Sequence, residues 1–355
     1  MDLLVLNEKF EAIAIVDGYE SFIWTDRFRS YGDFELDTTM TSDIFEHMQR
    51  DRYVVNRDSD HVMIVEKILI KSDAEDGDRL TVSGRSLESI LDRRIVWKQL
   101  VVKGNLEEVV EQLLKVCIIE PEDSDRKIPN FVFKSSGDSK ITSINVESQY
   151  TGDNLYNVIS GLCEEHDIGF KVILSDDGKF VFSLYSGVDR SYQQEKNPYV
   201  VFSPGFDNLR NSNYLESSIA LKNVTLIGGE GQGDERKYTS VGTTSGLSRR
   251  EMFTDARDLS SDNNGESIDE GDYIAQLQQR GKEKLAETSD ISTFEGEVEG
   301  EMYEYGVDYD NGDIVQILDE YGHESPVRII ETVMSDGKNG YGVYPTFESI
   351  KEKGE

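Results

Sequence analysis

Hydrophobic positions along this chain recur mostly in short runs separated by Gly, Asp, Asn and Ser, a pattern that predicts strands more often than helices. Leu3 to Leu6, Ala12 to Val16, Ser21 to Trp24 and Asp33 to Asp37 read as strands, with a helical turn at Asp43 to Met48. Val62 to Lys71 and Arg79 to Ser83 form a predicted hairpin across Asp76-Gly77, a dipeptide suited to the positive φ angles of a tight turn. A helix over Leu87 to Arg94 closes this region.

The pattern then lengthens. Leu106, Val109, Val110, Leu113 and Leu114 make one helical stripe, and Asn105 with Glu108 three positions on reads as its capping arrangement. A second helix is expected near Asn154 to His166, with Leu155, Val158, Ile159 and Leu162 on one face. It leads into a hairpin, Phe170 to Leu174 and Lys179 to Tyr185, joined at Asp177-Gly178. Two helices on a small sheet are the expected result. Strand character returns at Tyr199 to Phe202 and Lys222 to Gly228, followed by a polar loop over Asp258 to Gly271 and a polar helix over Asp272 to Ala286. Turns are expected at Asn311-Gly312 and Asp336-Gly337. The charged end, Lys351 to Glu355, reads as a point where a larger protein continues or was cut.

One phrase occurs twice. Val62-Met63-Ile64-Val65-Glu66-Lys67-Ile68-Leu69 matches Val327-Arg328-Ile329-Ile330-Glu331-Thr332-Val333-Met334, and each follows another branched segment, Tyr53-Val54-Val55 or Ile314-Val315-Gln316-Ile317. Branched residues are common in strands, but the copies lie near opposite ends, so the expectation is a diverged duplication of a small antiparallel β-domain.

Composition narrows the function. At 355 residues, about two to four domains are expected. With 37 Lys and Arg against 70 Asp and Glu, the formal charge is −33, which argues against gripping nucleic acid or an anionic membrane. It fits a solvated acidic surface, or a passage that a polyanion slides through without sticking. Cys117 and Cys163 lie in apolar segments and read as reduced core residues. The start lacks a basic region before a long apolar run, so no signal peptide is expected, and no stretch has the length of a membrane span.

Candidate chemistry is thin. Cys163 and His166 share a helix face, yet no orienting partner is evident. His47, His61, His166 and His323 form no pair at metal-ligand spacing. In Asp308-Tyr309-Asp310-Asn311-Gly312-Asp313 the glycine is fifth and Asp319 is twelfth, which fits a hairpin turn better than a calcium loop. Gly228-Gly229-Glu230-Gly231-Gln232-Gly233 lacks the lysine and helix of a phosphate loop and reads as a bulge or bend. No carboxylate pair for glycosidase work stands out from so many acids. Arg249-Arg250-Glu251 and Arg257 would form ion pairs, either between chains or domains or within one domain. Accordingly no catalytic, cofactor-binding or metal residue is assigned, and no cofactor is expected.

Several phrases together resemble the tail-hub proteins of siphophages and prophages of Gram-positive bacteria, akin to the baseplate hub of contractile-tailed phages and the N-terminal part of tail-associated lysins. They are Trp24 with Gly32-Asp33-Phe34-Glu35-Leu36, Ser83-Gly84-Arg85-Ser86-Leu87, Leu91-Asp92-Arg93-Arg94-Ile95, Gly187-Val188-Asp189-Arg190-Ser191, and Phe202-Ser203 with Asn208-Leu209. The run Lys222-Asn223-Val224, Gly228 to Gly231, Gly246 to Glu251 and Asp255-Ala256-Arg257 adds to these, as does Asp308-Tyr309 with Gly312-Asp313-Ile314-Val315. The resemblance implies a mainly β fold with α+β insertions, in which two β-barrel-like domains accompany mixed α/β domains, as in a phage baseplate hub. The expected divisions are 1-98 for the first β-barrel-like domain, 99-198 for a mixed α/β domain, 199-245 with 295-350 for the second β-barrel-like domain, and 246-294 for an inserted loop and helix region.

It further implies a non-enzymatic homotrimer at the virion tail tip, joining a sixfold distal tail protein ring to a threefold tip and lining or closing the DNA passage. Expected partners are that ring, the tape-measure protein, and fibre, receptor-binding or lytic proteins; DNA passes without sequence-specific binding, and no membrane anchor is expected. Two alternatives stay open: a cell-wall hydrolase, and a carbohydrate-binding β-module using exposed aromatics among the 17 tyrosines.

Overall fold

The computed structural model describes residues 2–73, 77–263, 265–298, 302–318, 324–338 and 340–350. Asp76 of the first expected turn, Asp319, His323 and the charged end lie outside the described residues. The fold is mainly β: among the described residues 43% are in strands and 21% in helices.

In chain order, β1 (Leu3–Leu6), β2 (Ala12–Val16), β3 (Ser21–Arg27), β4 (Asp33–Thr39), α1 (Ser42–His47), β5 (Tyr53–Asn56), β6 (Val62–Asp73) and β7 (Gly77–Ser86) come first. They are followed by β8 (Leu100–Asn105), α2 (Leu106–Leu114), β9 (Phe131–Phe133), α3 (Ser139–Thr142), β10 (Asn145–Tyr150) and α4 (Leu155–His166). The hairpin β11 (Gly169–Leu174) and β12 (Phe180–Tyr185) precedes β13 (Val201–Phe202) and β14 (Leu209–Ser217). Then come β15 (Val224–Gly228), β16 (Tyr238–Val241), β17 (Glu251–Asp255), β18 (Asp262–Asn263), β19 (Glu266–Ser267) and α5 (Glu270–Ala286). The chain closes with β20 (Ile291–Val298), β21 (Ile314–Leu318), β22 (Glu324–Gly337) and β23 (Gly342–Ser349). Leu87–Arg93, expected as a helix, is a 3₁₀ helix.

The chain divides into two compact units, and each is discontinuous. One holds Met1–Ser89, Gly169–Leu215 and Ser292–Glu355; the other holds Ile90–Ile168 and Glu216–Ile291. This division cuts across the segments drawn from the sequence. The hairpin of residues 170–185 was expected with the two helices, but it lies in the first unit, where Phe180 stacks edge-on to Phe10 and Tyr185 to Phe28. Residues 224–228 were expected in the second β-domain, but they lie in the second unit.

The first unit contains a sheet of 13 strands built from two modules. The first module runs β2-β1-β5-β6-β7-β4-β3, and the second runs β13-β21-β22-β23-β20-β14. Matched outward from β6 and β22, the order agrees over six strands, while β2 has no counterpart and β13 pairs parallel with β21 where β1 pairs antiparallel with β5. Two cores fill the modules. Leu3, Val5, Phe22, Trp24, Phe34, Leu36, Val54 and Val82 belong to one; Phe202, Leu209, Phe294, Tyr309, Val315, Ile329 and Phe347 belong to the other.

The duplication extends to backbone detail. Val65 pairs with Gly84 and Lys67 with Ser83, skipping Glu66 as a bulge; Ile329 pairs with Phe347 and Glu331 with Thr346, skipping Ile330. Val65 exchanges both backbone bonds with the turn before β5, donating to Arg52 and accepting from Asp51. Ile329 does the same with Asp313 and Gly312. Asp51 and Gly312 both have positive φ, 64° and 95°. The structural repeat therefore matches Val65 with Ile329, one residue away from the match read off the sequence, which had set Ile64 against Ile329. Val62 to Val65 and Val327 to Ile329 are buried without alternation, so no inside–outside period fixes their register.

The modules are joined edge to edge. Beyond its bulge, β22 pairs antiparallel with β3, from Glu331 opposite Arg27 to Gly337 opposite Ser21. The expected turn at Asp336-Gly337 is still strand; the chain turns later, where Gly340 has φ 90°.

Gly84 sits opposite the first bulge, and a Cβ there would overlap the Ile64 carbonyl. Gly84→Ala is expected to destabilise the protein by about 1–3 kcal/mol through overpacking against backbone, read from the urea midpoint.

In the second unit, Asn105 caps α2 as expected. Its side chain accepts from the Glu108 N–H at 3.0 Å, and Glu108 accepts from the Asn105 N–H at 3.2 Å. β8 and β10 pair antiparallel, and α5 covers β15 and β16 over a core of Ile227, Ala256, Leu259, Tyr273 and Leu277. Among the described residues no helix is long and apolar enough to cross a membrane.

Candidate functional site

Sequence patterning puts three ionisable groups into the apolar interior of the first unit. Asp26 follows Phe22 and Trp24 on β3, His61 precedes the apolar run of β6, and Glu88 follows the buried Ser86 and Leu87. All three are buried. His61 Nδ1 lies 3.2 Å from Glu88 Oε1, a contact better described as an ion pair than as an aligned hydrogen bond. Glu88 Oε1 also accepts from the Val172 N–H at 2.7 Å.

Asp26 is held by three donors: Trp24 Nε1 at 2.8 Å, Ser59 Oγ at 2.7 Å and Tyr305 OH at 3.1 Å. Asn311 donates to the Tyr305 hydroxyl and accepts from Thr332, so the network reaches from β3 of the first module to β22 of the second. Burial opposes charge on His61, but the Asp26 and Glu88 carboxylates outweigh it and raise its pKa to about 9. For Asp26 burial dominates and pushes the carboxyl upward, against the pull of His61 and its donors. Burial also opposes the Glu88 charge, yet His61 and hydrogen bonds bring that carboxyl below its ordinary value.

Of the three, His61 lines a cavity of about 850 Å³ that also meets Asp58, Asp60, Lys171, Tyr305 and Asp310. Burial raises the Asp310 carboxyl as well. The arrangement is poor for nucleophilic catalysis. The Ser59 hydroxyl donates to Asp26 and accepts from the His61 backbone N–H, while the Asp26 and Glu88 carboxylates favour the protonated imidazole. What it can do is hold a buried cation between two carboxylates of the first module, while the Tyr305 hydroxyl, Asn311 and Thr332 tie Asp26 to the second.

Other residues singled out from the sequence fall into place as follows. Cys163 is buried on α4, and His166 Nε2 lies 3.7 Å from Glu165 of the same helix. Glu165 itself is pushed up to about 7, by burial first and by the nearness of Glu283 second. Among the described residues no group of His, Cys, Asp and Glu is arranged to hold a metal. Gly312 has the positive φ of a turn, and Asn311 beside it is buried and hydrogen-bonded as above.

The glycine run 228–233 is a bend. Arg236 donates to the Gly228 and Gly229 carbonyls and to Asp255. Arg249 pairs with Glu251 at 2.5 Å and Arg257 with Asp255 at 2.6 Å, both within the second unit.

The phrases that carried the resemblance turn out to be contact partners. Asp313 accepts from the Val188 N–H and from Arg190 Nε, both at 2.7 Å, so 187–191 meets 312–315. Asn223 accepts from the Arg250 N–H at 2.8 Å, joining 222–224 to 246–251. Gly32 donates to Ser86 Oγ at 2.7 Å, joining the two phrases of the first module. Sequence reading missed the Asp26–His61–Glu88 group; the available signal was an ionisable residue embedded in each of three apolar segments.

A family model described as Siphovirus ReqiPepy6 Gp37-like protein matches residues 2–347. No curated protein matches the chain. Among solved structures, a tail protein from Neisseria meningitidis MC58 is similar with a TM-score of 0.59 at 15% identity, over 98% of this chain and 96% of that one. The 43 kDa tail protein of prophage MuSo2 from Shewanella oneidensis has a TM-score of 0.59 at 12% identity, over 99% and 98%. Prophage tail protein gp18 from Listeria monocytogenes EGD-e has a TM-score of 0.55 at 14% identity, over 99% and 96%. At these identities the likeness is one of fold.

Proposed function

The chain belongs to the Siphovirus ReqiPepy6 Gp37-like family of phage tail proteins, and from that membership we propose that it is a structural, non-enzymatic hub at the tail tip. The observation that carries this reading is the duplicated module: two copies of one strand order in each chain present six similar units when three chains assemble. Such a ring meets a sixfold distal tail protein ring on one side and offers threefold symmetry to fibre, receptor-binding or lytic proteins on the other. The tape-measure protein and the DNA pass its centre, and the excess of acidic side chains favours a passage that a polyanion does not adhere to.

Light scattering behind a sizing column is expected to give about three times the 40.2 kDa chain mass, in the presence of salt to screen the like charges. A mass of one chain at every salt and protein concentration, with no uptake by a distal tail ring, would overturn the hub. The buried, protonated His61 supports the non-enzymatic part of the reading. Purified protein is expected to release no fragments from Gram-positive sacculi; release that a point change abolishes would refute this.

A further inference from the structure

We propose that the cavity bounded by His61, Lys171, Tyr305 and Asp310 binds a linear di- or polyamine, held by carboxylates against tyrosine rings. The site stands independently of the assembly reading above. Its volume of about 850 Å³ lies within the range of small-molecule pockets. Three parts of the first unit build its wall: residues 57–61, Lys171 and Tyr185 of the β11–β12 hairpin, and residues 303–310 with 341–343.

Charge selects the ligand. The wall carries the carboxylates of Asp58, Asp60, Glu297, Glu304 and Asp310, while most of its cations are committed. His61 lies 3.2 Å from Glu88, which is outside the wall, and Lys171 pairs with Asp60 at 3.4 Å. Of the lining cations that leaves Arg57. Among the described residues, Asp58, Glu304 and Asp310 have no ion pair. The Asp310 carboxylate accepts from the Asn311 N–H at 2.7 Å, and burial raises it. A cation beside it would relieve a desolvation cost already present in the fold.

A metal ion is a poor occupant, because among the described residues no group of His, Cys, Asp and Glu is arranged to hold one. An organic ammonium fits, and the wall already seats one. Lys171 Nζ lies 5.5 Å from the centre of the Tyr185 ring and 3.4 Å from Asp60, so a ring and a carboxylate share one ammonium. Tyr303, Tyr305 and Tyr341 extend the same kind of surface. The Tyr303 hydroxyl accepts from the Val201 N–H and that of Tyr305 donates to Asp26, which fixes both rings before a ligand arrives.

The carboxylates form two tiers, an arrangement suited to a ligand charged at both ends. Asp58, Asp60 and Glu304 are exposed and make the rim, whereas Asp310 is half-buried next to the wholly buried Tyr309. Val298, Val307 and Val343 also line the wall and suit the methylene chain between two ammonium groups. A neutral sugar would use the rings but leave Asp310 without a cation.

Spermidine is the probe, titrated calorimetrically at physiological salt with excess magnesium to occupy the acidic surface at large. The expected result is one spermidine bound per chain, with a thermal midpoint that rises and saturates as spermidine is added. Asp310→Asn is expected to weaken binding about tenfold, and Glu304→Gln at the rim about threefold. Should Asp310→Asn fail to fold, Glu304→Gln and the exposed Tyr341→Ala carry the test. Binding that magnesium abolishes, or many spermidines per chain, would mean diffuse attraction to the acidic surface and would overturn the site. Binding of one spermidine that none of these substitutions weakens would overturn it as well. Saturable binding of N-acetylglucosamine oligomers in place of spermidine would overturn the amine and give the cavity to a sugar.

Discussion

Replacing His61 with alanine is expected to destabilise the protein by about 3–5 kcal/mol at neutral pH, because the change leaves Asp26 and Glu88 buried without their shared cation. Equilibrium urea unfolding followed by circular dichroism gives the value. The same residue sets a pH signature. Its folded pKa is raised from 6.5 to about 9, so the stability it contributes is complete below pH 6.5 and is lost as pH rises through about 9. The wild type is expected to lose stability across that window, and His61→Ala to lack that loss. A variant as stable as the wild type, with the same pH dependence, would show that the imidazolium is not what holds the cluster.

The second large effect is expected from Trp24→Ala, at about 3–5 kcal/mol for an emptied aromatic site. Trp24 is wholly buried on β3, with the rings of Phe22 and Phe34 at 6.0 and 6.2 Å and Met334 of the second module opposite it in the ladder. Its indole N–H is also one of the three donors to Asp26. The two substitutions should therefore be non-additive: with His61 already gone, Asp26 depends more on its remaining donors. A double-mutant cycle is expected to give a coupling of about 0.5–3 kcal/mol. Additivity within error would mean that the indole acts by volume alone.

Much of the strand content was legible because branched residues and Asp-Gly or Asn-Gly turns mark strands locally. The cap at Asn105 was legible for the same reason: donor and acceptor lie three residues apart. The register of the repeat was not, because a strand buried on both faces carries no alternation to count. Unit membership was also hidden. The hairpin of residues 170–185 follows α4 directly, yet its aromatic residues meet Phe10 and Phe28, contacts that no local window contains. The Asp26–His61–Glu88 group was hidden for a related reason. Ligand or partner spacing along one helix reveals nothing here, because these three residues come from separate segments brought together by sheet pairing.

The nesting of the second unit within the first also constrains synthesis. β1 to β7 are contiguous, so the first module can pair its strands as soon as the ribosome releases residue 86. The second cannot. β14 emerges long before β20, its neighbour in the sheet, and Glu216–Ile291 of the other unit must appear in between. Through that interval β14 is a nascent strand with neither edge filled, carrying Tyr214 and Leu215 into a polysome crowded with copies of itself. Premature pairing between neighbouring nascent chains is the characteristic misassembly to expect, and slow translation through residues 216–291 should worsen it.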